Sequence, residues 1–183
     1  MFLVSPLGLE ITEIYSSLSK YWDLEARELA VKGDHPLDFD NLYSVRNYRD
    51  HLKLVHSEGP CVIIAGSGMC TGGRIIDHLL TGLEDRRNDI LFVGYQAKGT
   101  PGRDILEYSS RPNGYVHLKG VRCAIRARVH ALGGYSAHAD QRGLIDWVRS
   151  MPEKPGAIKL VHGEPAAQMA LGIMLGEMGY RVR

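Results

Sequence analysis

The 183-residue chain is 44% hydrophobic and 23% charged, proportions typical of a globular protein and not of a disordered one. No apolar stretch approaches the roughly 18 to 20 residues of a membrane span. Ser5-Pro6 follows the short apolar start at once, so no signal peptide is readable. The formal net charge of +1 excludes a global attraction to nucleic acid and leaves only local clusters of cations. We therefore expect a cytoplasmic protein without membrane association.

The cysteines give no support for a covalent or metal framework. Cys61, Cys70 and Cys123 are odd in number and have no CxxC spacing. Neither a disulfide framework nor a cysteine-built zinc site follows from this pattern. We predict three reduced, buried thiols.

The N-terminal segment predicts a strand followed by a helix. Phe2-Leu3-Val4 is apolar, and Ser5 is placed to cap a helix that has Pro6 in its first turn. Apolar residues then recur at helical spacing, which predicts one apolar face. They are Ile11, Ile14, Tyr15, Leu18 and Trp22.

Strands and helices alternate up to about residue 107. A strand-to-helix unit follows the polar stretch at 33–50, and the apolar run 61–65 predicts a strand buried on both faces. A glycine-rich turn at 66–73, an amphipathic helix at 75–83 and a strand at 90–93 come next. This alternation predicts an α/β fold with a mainly parallel sheet.

The pattern changes after about residue 107. Residues 121–130 alternate apolar and polar, which predicts a half-exposed strand with a basic face. The arginines of that face are Arg122, Arg126 and Arg128. A helix near 140–149, a strand at 158–161, a helix from about 165 to 178 and a final strand from Tyr180 complete the prediction.

Two histidines stand where α/β folds keep their sites. His138 precedes a predicted helix, and His162 ends a predicted strand. Neutral imidazole is a common metal ligand, and a carboxylate such as Asp140 can fix its tautomer. The alternative is that both histidines only satisfy hydrogen bonds of loops and helix ends. Because a catalytic zinc needs three protein ligands, spacing alone does not establish a metal site.

The glycine-rich turn could bind phosphate through its amide groups and the positive end of the following helix. It is not a Walker A loop, because Arg74 and Ile75 stand where Lys and Ser/Thr are needed. It also lacks the GxGxxG pattern, because Thr71 occupies the third glycine position. A tight turn required only for packing is the alternative. For the arginines of the basic strand face the choice likewise lies between phosphate contacts and a solvated surface.

Taken together, these segments resemble the β-CASP ribonucleases of the metallo-β-lactamase superfamily, and the bacterial exonuclease-like members in particular. The matching stretches occur in family order over nearly the whole chain. They are Ser5-Pro6-Leu7, Ala65-Gly66-Ser67-Gly68-Met69, Gly72-Gly73-Arg74-Ile75, Phe92-Val93-Gly94-Tyr95-Gln96, Ser136-Ala137-His138-Ala139-Asp140 and Leu160-Val161-His162-Gly163-Glu164.

The resemblance implies a fold and a domain order. Residues 1–107 would form a Rossmann-like β-CASP domain, a parallel sheet with helices on both faces. Residues 108–183 would be the C-terminal β/α segment of the metallo-β-lactamase domain, which is incomplete without upstream residues.

The resemblance also implies an RNA hydrolase that uses two zinc ions. His162 would be a zinc ligand, and His138 would meet the scissile phosphate as a transition-state stabiliser or proton donor, with Ser136 and Asp140 beside it in the catalytic group. The RNA-binding residues would lie in the glycine-rich turn and line the RNA path between the domains. They are Ser67, Gly68, Met69, Gly72, Gly73 and Arg74.

The departures from the family pattern matter as well. Nothing here resembles the HxHxDH cluster or the other upstream zinc ligands, and Val4 stands where many relatives have an acid. We therefore expect a fragment that binds RNA weakly, cleaves nothing alone, lacks its N-terminal metallo-β-lactamase portion and is able to form a homodimer. A non-catalytic RNA-binding or scaffold module is the main alternative, and a Rossmann-like nucleotide-binding domain is a third.

Overall fold

A computed structural model describes residues 1–35, 37–135 and 138–183. The chain divides into two compact units, Met1–Ser136 and Ala137–Arg183. The strands are β1 (Phe2–Leu3), β2 (Tyr43–Ser44), β3 (Ile63–Ile64), β4 (Asp89–Phe92), β5 (Tyr115–Leu118), β6 (Val121–Ala124) and β7 (Arg128–Ala131). The α-helices are α1 (Pro6–Ser17), α2 (Leu24–Val31), α3 (Tyr48–Val55), α4 (Ile75–Gly82), α5 (Pro101–Tyr108), α6 (Gln141–Arg149) and α7 (Pro165–Glu177).

The first sheet of the N-terminal unit has the parallel order β2-β1-β3. Ser5 caps α1 as predicted, because its hydroxyl accepts a hydrogen bond from the Gly8 amide at 3.1 Å. Val4, which follows β1, is fully buried and packs with Val45 and Leu54. The predicted α/β class with parallel sheets is confirmed.

The larger core of this unit lies under α4 and α5. β4 pairs in parallel with β7, and β5 pairs with β6 as an antiparallel hairpin. Their inward side chains join those of the two helices in one apolar cluster. Its buried members are Cys70, Ile76, Leu79, Leu83, Phe92, Ile105, Val116, Leu118, Cys123 and Ala127. The hairpin therefore packs on the same core as the α/β elements before residue 107.

The predicted strand at 121–130 is wrong as one continuous element. β6 ends at Ala124 and β7 begins at Arg128. Between them the amides of Arg126 and Ala127 both donate to the carbonyl of Leu83 at 3.0 Å. The chain bends there because β6 pairs with β5, whereas β7 pairs with β4. The alternation itself is observed, with Cys123 and Ala127 buried and the arginines exposed.

Three further predictions need correction. α1 ends at Ser17, before Trp22, and its buried residue is Leu9, whereas Ile14 is 55% exposed because no described element covers that face. The thiol of Cys61 is exposed, since it precedes the short β3, although Cys70 and Cys123 are buried as predicted and all three are free. The run 61–65 is not buried on both faces, because Val62 and Ile64 are about half exposed.

The C-terminal unit packs α6 and α7 around Ile145, Val148 and Leu175. Both helices match their predicted positions. The predicted strands at 158–161 and from Tyr180 are reduced to one parallel bridge between Ile158 and Val182. None of the described helices is long and apolar enough to cross a membrane.

Candidate functional site

The glycine-rich turn between β3 and α4, residues 66–73, is named the glycine loop here. Several of its carbonyl groups accept hydrogen bonds from the N-terminal unit. Ile75 donates to the carbonyl of Gly66 at 3.3 Å, and Cys70 donates to that of Ser67 at 3.0 Å. The carbonyl of Met69 accepts from Gly102 at 3.0 Å. These three carbonyls are therefore used by the protein itself.

Most amide groups of the loop, unlike that of Cys70, have no such partner among the described residues. In the described part of the chain, none of five loop amides has a hydrogen-bond acceptor. They belong to Gly68, Met69, Thr71, Gly72 and Gly73. All lie in partly or fully exposed residues before the N-terminus of α4. Unused amide donors at a helix N-terminus form a site that favours an anion, and a phosphate group above all.

Gln96 holds this loop in place, although no role was predicted for it from the sequence. Its side chain is 4% exposed, and its Nε2 donates to the carbonyls of Gly68 at 2.9 Å and Gly94 at 3.1 Å. A Cβ at Gly102 would overlap Oε1 of Gln96 and approach the Met69 carbonyl at 3.1 Å. The signal in the sequence was the family stretch that ends at Gln96, but nothing in the spacing links it to the loop.

Two of the predicted phosphate-contacting residues have clear structural tasks. Gly73 has φ +74°, and a Cβ there would lie 2.9 Å from the carbonyl oxygen of Gly66. Arg74 donates through Nη1 to the carbonyls of Val4 at 3.0 Å and Val45 at 2.7 Å, so it joins the ends of β1 and β2 to the start of α4. Its assignment as a phosphate contact stays a prediction.

A buried polar cluster lies on α3 and α4. His51 is fully buried, and its Nε2 lies 3.0 Å from Oδ2 of Asp77. Lys119 donates to Oδ1 of Asp77 at 2.8 Å, and this bond, followed by that to His51, holds the pKa of the Asp77 carboxyl below its usual range. The rings of His51 and His78 meet edge to face at 5.0 Å. Burial lowers the pKa of His78 to about 4.

The segment before α6 carries the first predicted catalytic histidine. Ser136 and Ala137 lie outside the described residues. His138 is exposed, and Asp140 is the N-cap of α6, where its Oδ1 accepts from the Gly143 amide at 2.8 Å. Asp140 therefore fixes the start of the helix two residues after His138.

The second predicted histidine lies in a left-handed turn. His162 has φ +66° and the following Gly163 has φ +88°, after which α7 begins. Gln168 on α7 donates to the His162 carbonyl at 2.6 Å, which closes the turn. The side chain of His162 is exposed.

The described residues alone do not fit a catalytic zinc. Within 1–35, 37–135 and 138–183, no group of three or more His, Cys, Asp or Glu side chains is placed to hold a metal ion. A catalytic zinc needs three protein ligands and an open position. His162 supplies an accessible imidazole, so the other ligands would have to come from outside these residues.

The chain is thus an α/β protein that has, among its described residues, unpaired amide donors in a glycine-rich loop before α4. The family model described as Beta-Casp domain matches residues 1–105. The model described as Zn-dependent metallo-hydrolase RNA specificity domain matches residues 122–183. The chain belongs to the β-CASP family of the metallo-β-lactamase superfamily, as the sequence motifs predicted.

Individual relatives agree with this membership. Ribonuclease TTHA0252 of Thermus thermophilus is 38% identical over 182 residues, which cover the whole chain and 40% of that protein. Transcription termination factor FttA of Methanocaldococcus jannaschii is 34% identical over 157 residues, 85% of this chain and 25% of that protein. The factor of the same name from Pyrococcus horikoshii is 35% identical over 159 residues, again 85% of this chain and 24% of that protein. The chain spans well under half the length of these relatives.

Proposed function

We propose that this chain is part of a zinc-dependent ribonuclease that hydrolyses RNA phosphodiester bonds by exonucleolytic cleavage, endonucleolytic cleavage or both. It contributes RNA binding, a phosphate-contacting histidine and one zinc ligand, and it is inactive alone. The observation that carries the proposal is the glycine loop, in which the amides of Gly68, Met69, Thr71, Gly72 and Gly73 have no acceptor in the described structure. Most carbonyls of the same loop accept hydrogen bonds from the protein. The family model for RNA specificity over 122–183 and the relative named a ribonuclease support RNA as the ligand.

The loop binds the RNA backbone in this proposal. Amides of Gly68, Gly72 and Gly73 donate to phosphate oxygens, and the N-terminus of α4 adds a favourable dipole. Contacts of this kind carry no base preference, so they position RNA without selecting its sequence. Met69 and the Ser67 hydroxyl complete the same surface.

His138 acts on the scissile phosphate as a transition-state stabiliser or proton donor. Asp140 keeps the start of α6 fixed, and Ser136 assists phosphate binding. His162 offers a neutral imidazole to zinc, and the remaining zinc ligands come from the N-terminal metallo-β-lactamase portion of the protein. The proposal also includes a domain boundary near residue 107, a cytoplasmic location and a homodimer.

The test is RNA hydrolysis by the intact protein that contains this chain, loaded with zinc and given an end-labelled single-stranded RNA. His162→Ala and His138→Ala should each lower the rate more than about 100-fold, the size of effect seen even when a partner of a metal ligand is lost. His56→Ala, a histidine of the N-terminal unit outside these motifs, is the matched control and should retain activity. Full activity in both site variants would overturn the assignment, provided that circular dichroism shows unchanged folding.

A non-catalytic RNA-binding module is the second candidate. The observation that favours it is the absence of a three-ligand metal cluster among the described residues. The same assay separates the two candidates, because a module binds the labelled RNA but leaves it uncut when zinc is added to the intact protein.

A further inference from the structure

A cavity on the N-terminal unit is lined by four arginines and shares no lining residue with the glycine loop. Its volume is about 610 Å³. The arginines are Arg86, Arg122, Arg126 and Arg128, and the other lining residues are Asn113, Gly114, Ala124 and Ile125. No carboxylate is among these lining residues, but two carboxylates adjoin them: Glu84 accepts from the amide of Ala124 at 2.9 Å, and Asp89 pairs with Arg128.

The four guanidinium groups are not neutralised to the same degree. Arg128 is paired with Asp89 through Nε at 2.8 Å and Nη2 at 2.6 Å, and this ion pair, with His130 beside it, lowers the pKa of Asp89 to about 2. Arg86 and Arg126 are exposed and have no ion pair or hydrogen-bonded side-chain partner in the described structure. Like charges gathered around one cavity repel each other, and a bound polyanion relieves that repulsion.

The fourth arginine adds an aromatic platform. The guanidinium of Arg122 lies over the ring of Tyr115, 4.1 Å from its centroid. His117 meets the same ring edge to face at 5.4 Å, and both side chains are on the exposed face of β5. Nucleic-acid bases stack on aromatic rings and on arginine guanidinium planes. A guanidinium fixed on a tyrosine therefore offers a flat surface to a base beside a group of phosphate-binding cations.

We propose that this cavity is a second RNA-binding site, which holds a single-stranded segment of the substrate outside the glycine loop. Arg86 and Arg126 bind successive backbone phosphates, and the Arg122–Tyr115 pair takes a base. Arg128 stays paired with Asp89 at the wall of the cavity. A single phosphate or nucleotide would use only part of this surface, whereas a chain of phosphates with unstacked bases uses all of it. The inference rests on the proposed function, since it takes RNA as the ligand.

The test is binding of a fluorescent single-stranded 12-nucleotide RNA to the 183-residue chain by anisotropy at several salt concentrations. For single strands the affinity scales with salt to about the power −0.7 per phosphate contact, so one lost contact costs about fivefold at 0.1 M salt. Arg86→Gln and Arg126→Gln should each weaken binding by about that factor and flatten the salt slope by about 0.7. The double variant should lose about 25-fold.

Arg87→Gln is the matched control, because it removes the same charge next to Arg86 from a guanidinium that is 2.7 Å from the Asp85 carboxylate. It should change the affinity less than about twofold, since a paired surface charge contributes little. Equal losses of RNA affinity in Arg86→Gln and Arg87→Gln would overturn the site, because the loss would then follow from the change in net charge alone. Unchanged thermal melting of each variant confirms that folding is intact.

Competition identifies the ligand class. Unlabelled RNA should displace the probe from the wild type, whereas inorganic phosphate, a mononucleotide and poly-glutamate should compete far more weakly. Equal competition by a mononucleotide or by poly-glutamate would overturn the assignment to an RNA segment.

If the wild type binds RNA and the arginine variants bind it equally well, this inference fails and the proposed function stands. If His162→Ala leaves hydrolysis intact while the arginine variants lose binding, the proposed function fails and the second site stands.

Discussion

The glycine loop and the turn at His162 both connect an extended segment to a helix, but they are held very differently. Inside the N-terminal unit, Gln96 and the amides of neighbouring elements bind the loop carbonyls. The turn at His162 is closed by Gln168, and in the described part of the chain the imidazole ring makes no hydrogen bond. A metal-bound histidine usually has its second ring nitrogen fixed by a partner. The described residues therefore fix the shape of the glycine loop, whereas they do not fix the imidazole of His162.

The largest expected effect comes from disturbing the support of the loop at Gly102. In Gly102→Ala the new Cβ meets Oε1 of the buried Gln96, which can move only by breaking its bonds to Gly68 and Gly94. Overpacking and two lost hydrogen bonds together should lower the free energy of unfolding by about 3 kcal/mol. Urea denaturation of the wild type and the variant measures this loss of stability. Gly94→Ala, which meets nothing within 4 Å, is the control, and an equal loss in both variants would refute the role of Gln96.

Acidification should have a smaller effect on the free energy of unfolding. It acts through His78 on α4, the helix that follows the glycine loop. Its pKa is about 4 in the folded chain, against 6.5 for an unperturbed histidine, with burial as the first cause. Below pH 6.5 the unfolded chain binds a proton that the folded chain does not bind until about pH 4. Stability is therefore full above pH 6.5 and falls as the pH drops toward 4, by about 2 kcal/mol after allowance for partial exposure.

Urea denaturation at pH 7 and pH 4.5 tests this linkage. In His78→Leu the difference between the two pH values should shrink, whereas His117→Gln, which changes an exposed histidine, should keep it. The same pH dependence in wild type and His78→Leu would show that His78 does not carry the effect.

The sequence predicted those elements whose signals are local. The Ser5 cap, α6 and α7 follow from capping residues and helical periodicity and were found in place. The helix α5 is not among the predicted elements, although Thr100 caps it and Pro101 stands in its first turn. The glycines around Pro101 favour a turn, and α5 is only eight residues long, so its helical signal is weak.

Features that depend on distant partners could not be predicted. The break at residues 125–127 exists because the chain leaves β5 for β4, and Leu83 supplies the carbonyl that holds the bend. The glycine loop was recognised as a candidate anion site, but the role of Gln96 depends on a contact 28 residues away from Gly68. Periodicity contains no information about such contacts.

The conformation of the loop itself should show a moderate effect. Gly73→Ala places a side chain at φ +74° with its Cβ 2.9 Å from the Gly66 carbonyl. We expect a loss of roughly 1–2 kcal/mol in stability and weaker RNA binding, because the amides of the loop must shift. Gly94→Ala is the matched control, since it lies outside the loop, meets nothing within 4 Å and has no left-handed φ. Equal RNA affinity in the wild type and Gly73→Ala would contradict the phosphate role of the loop.

The smallest effect is expected in the C-terminal unit, where one carboxylate holds the start of α6. Asp140→Ala removes the bond to the Gly143 amide, and a lost N-cap costs about 1 kcal/mol. Asp140→Asn keeps an acceptor oxygen and should retain most of that stability. If Asp140 acts only as a cap, Asp140→Asn also keeps hydrolysis in the intact protein. Normal stability with lost hydrolysis in Asp140→Asn would instead show that the carboxylate acts on His138 or on the substrate, and the C-terminal unit would then contain more of the catalytic chemistry than its two histidines.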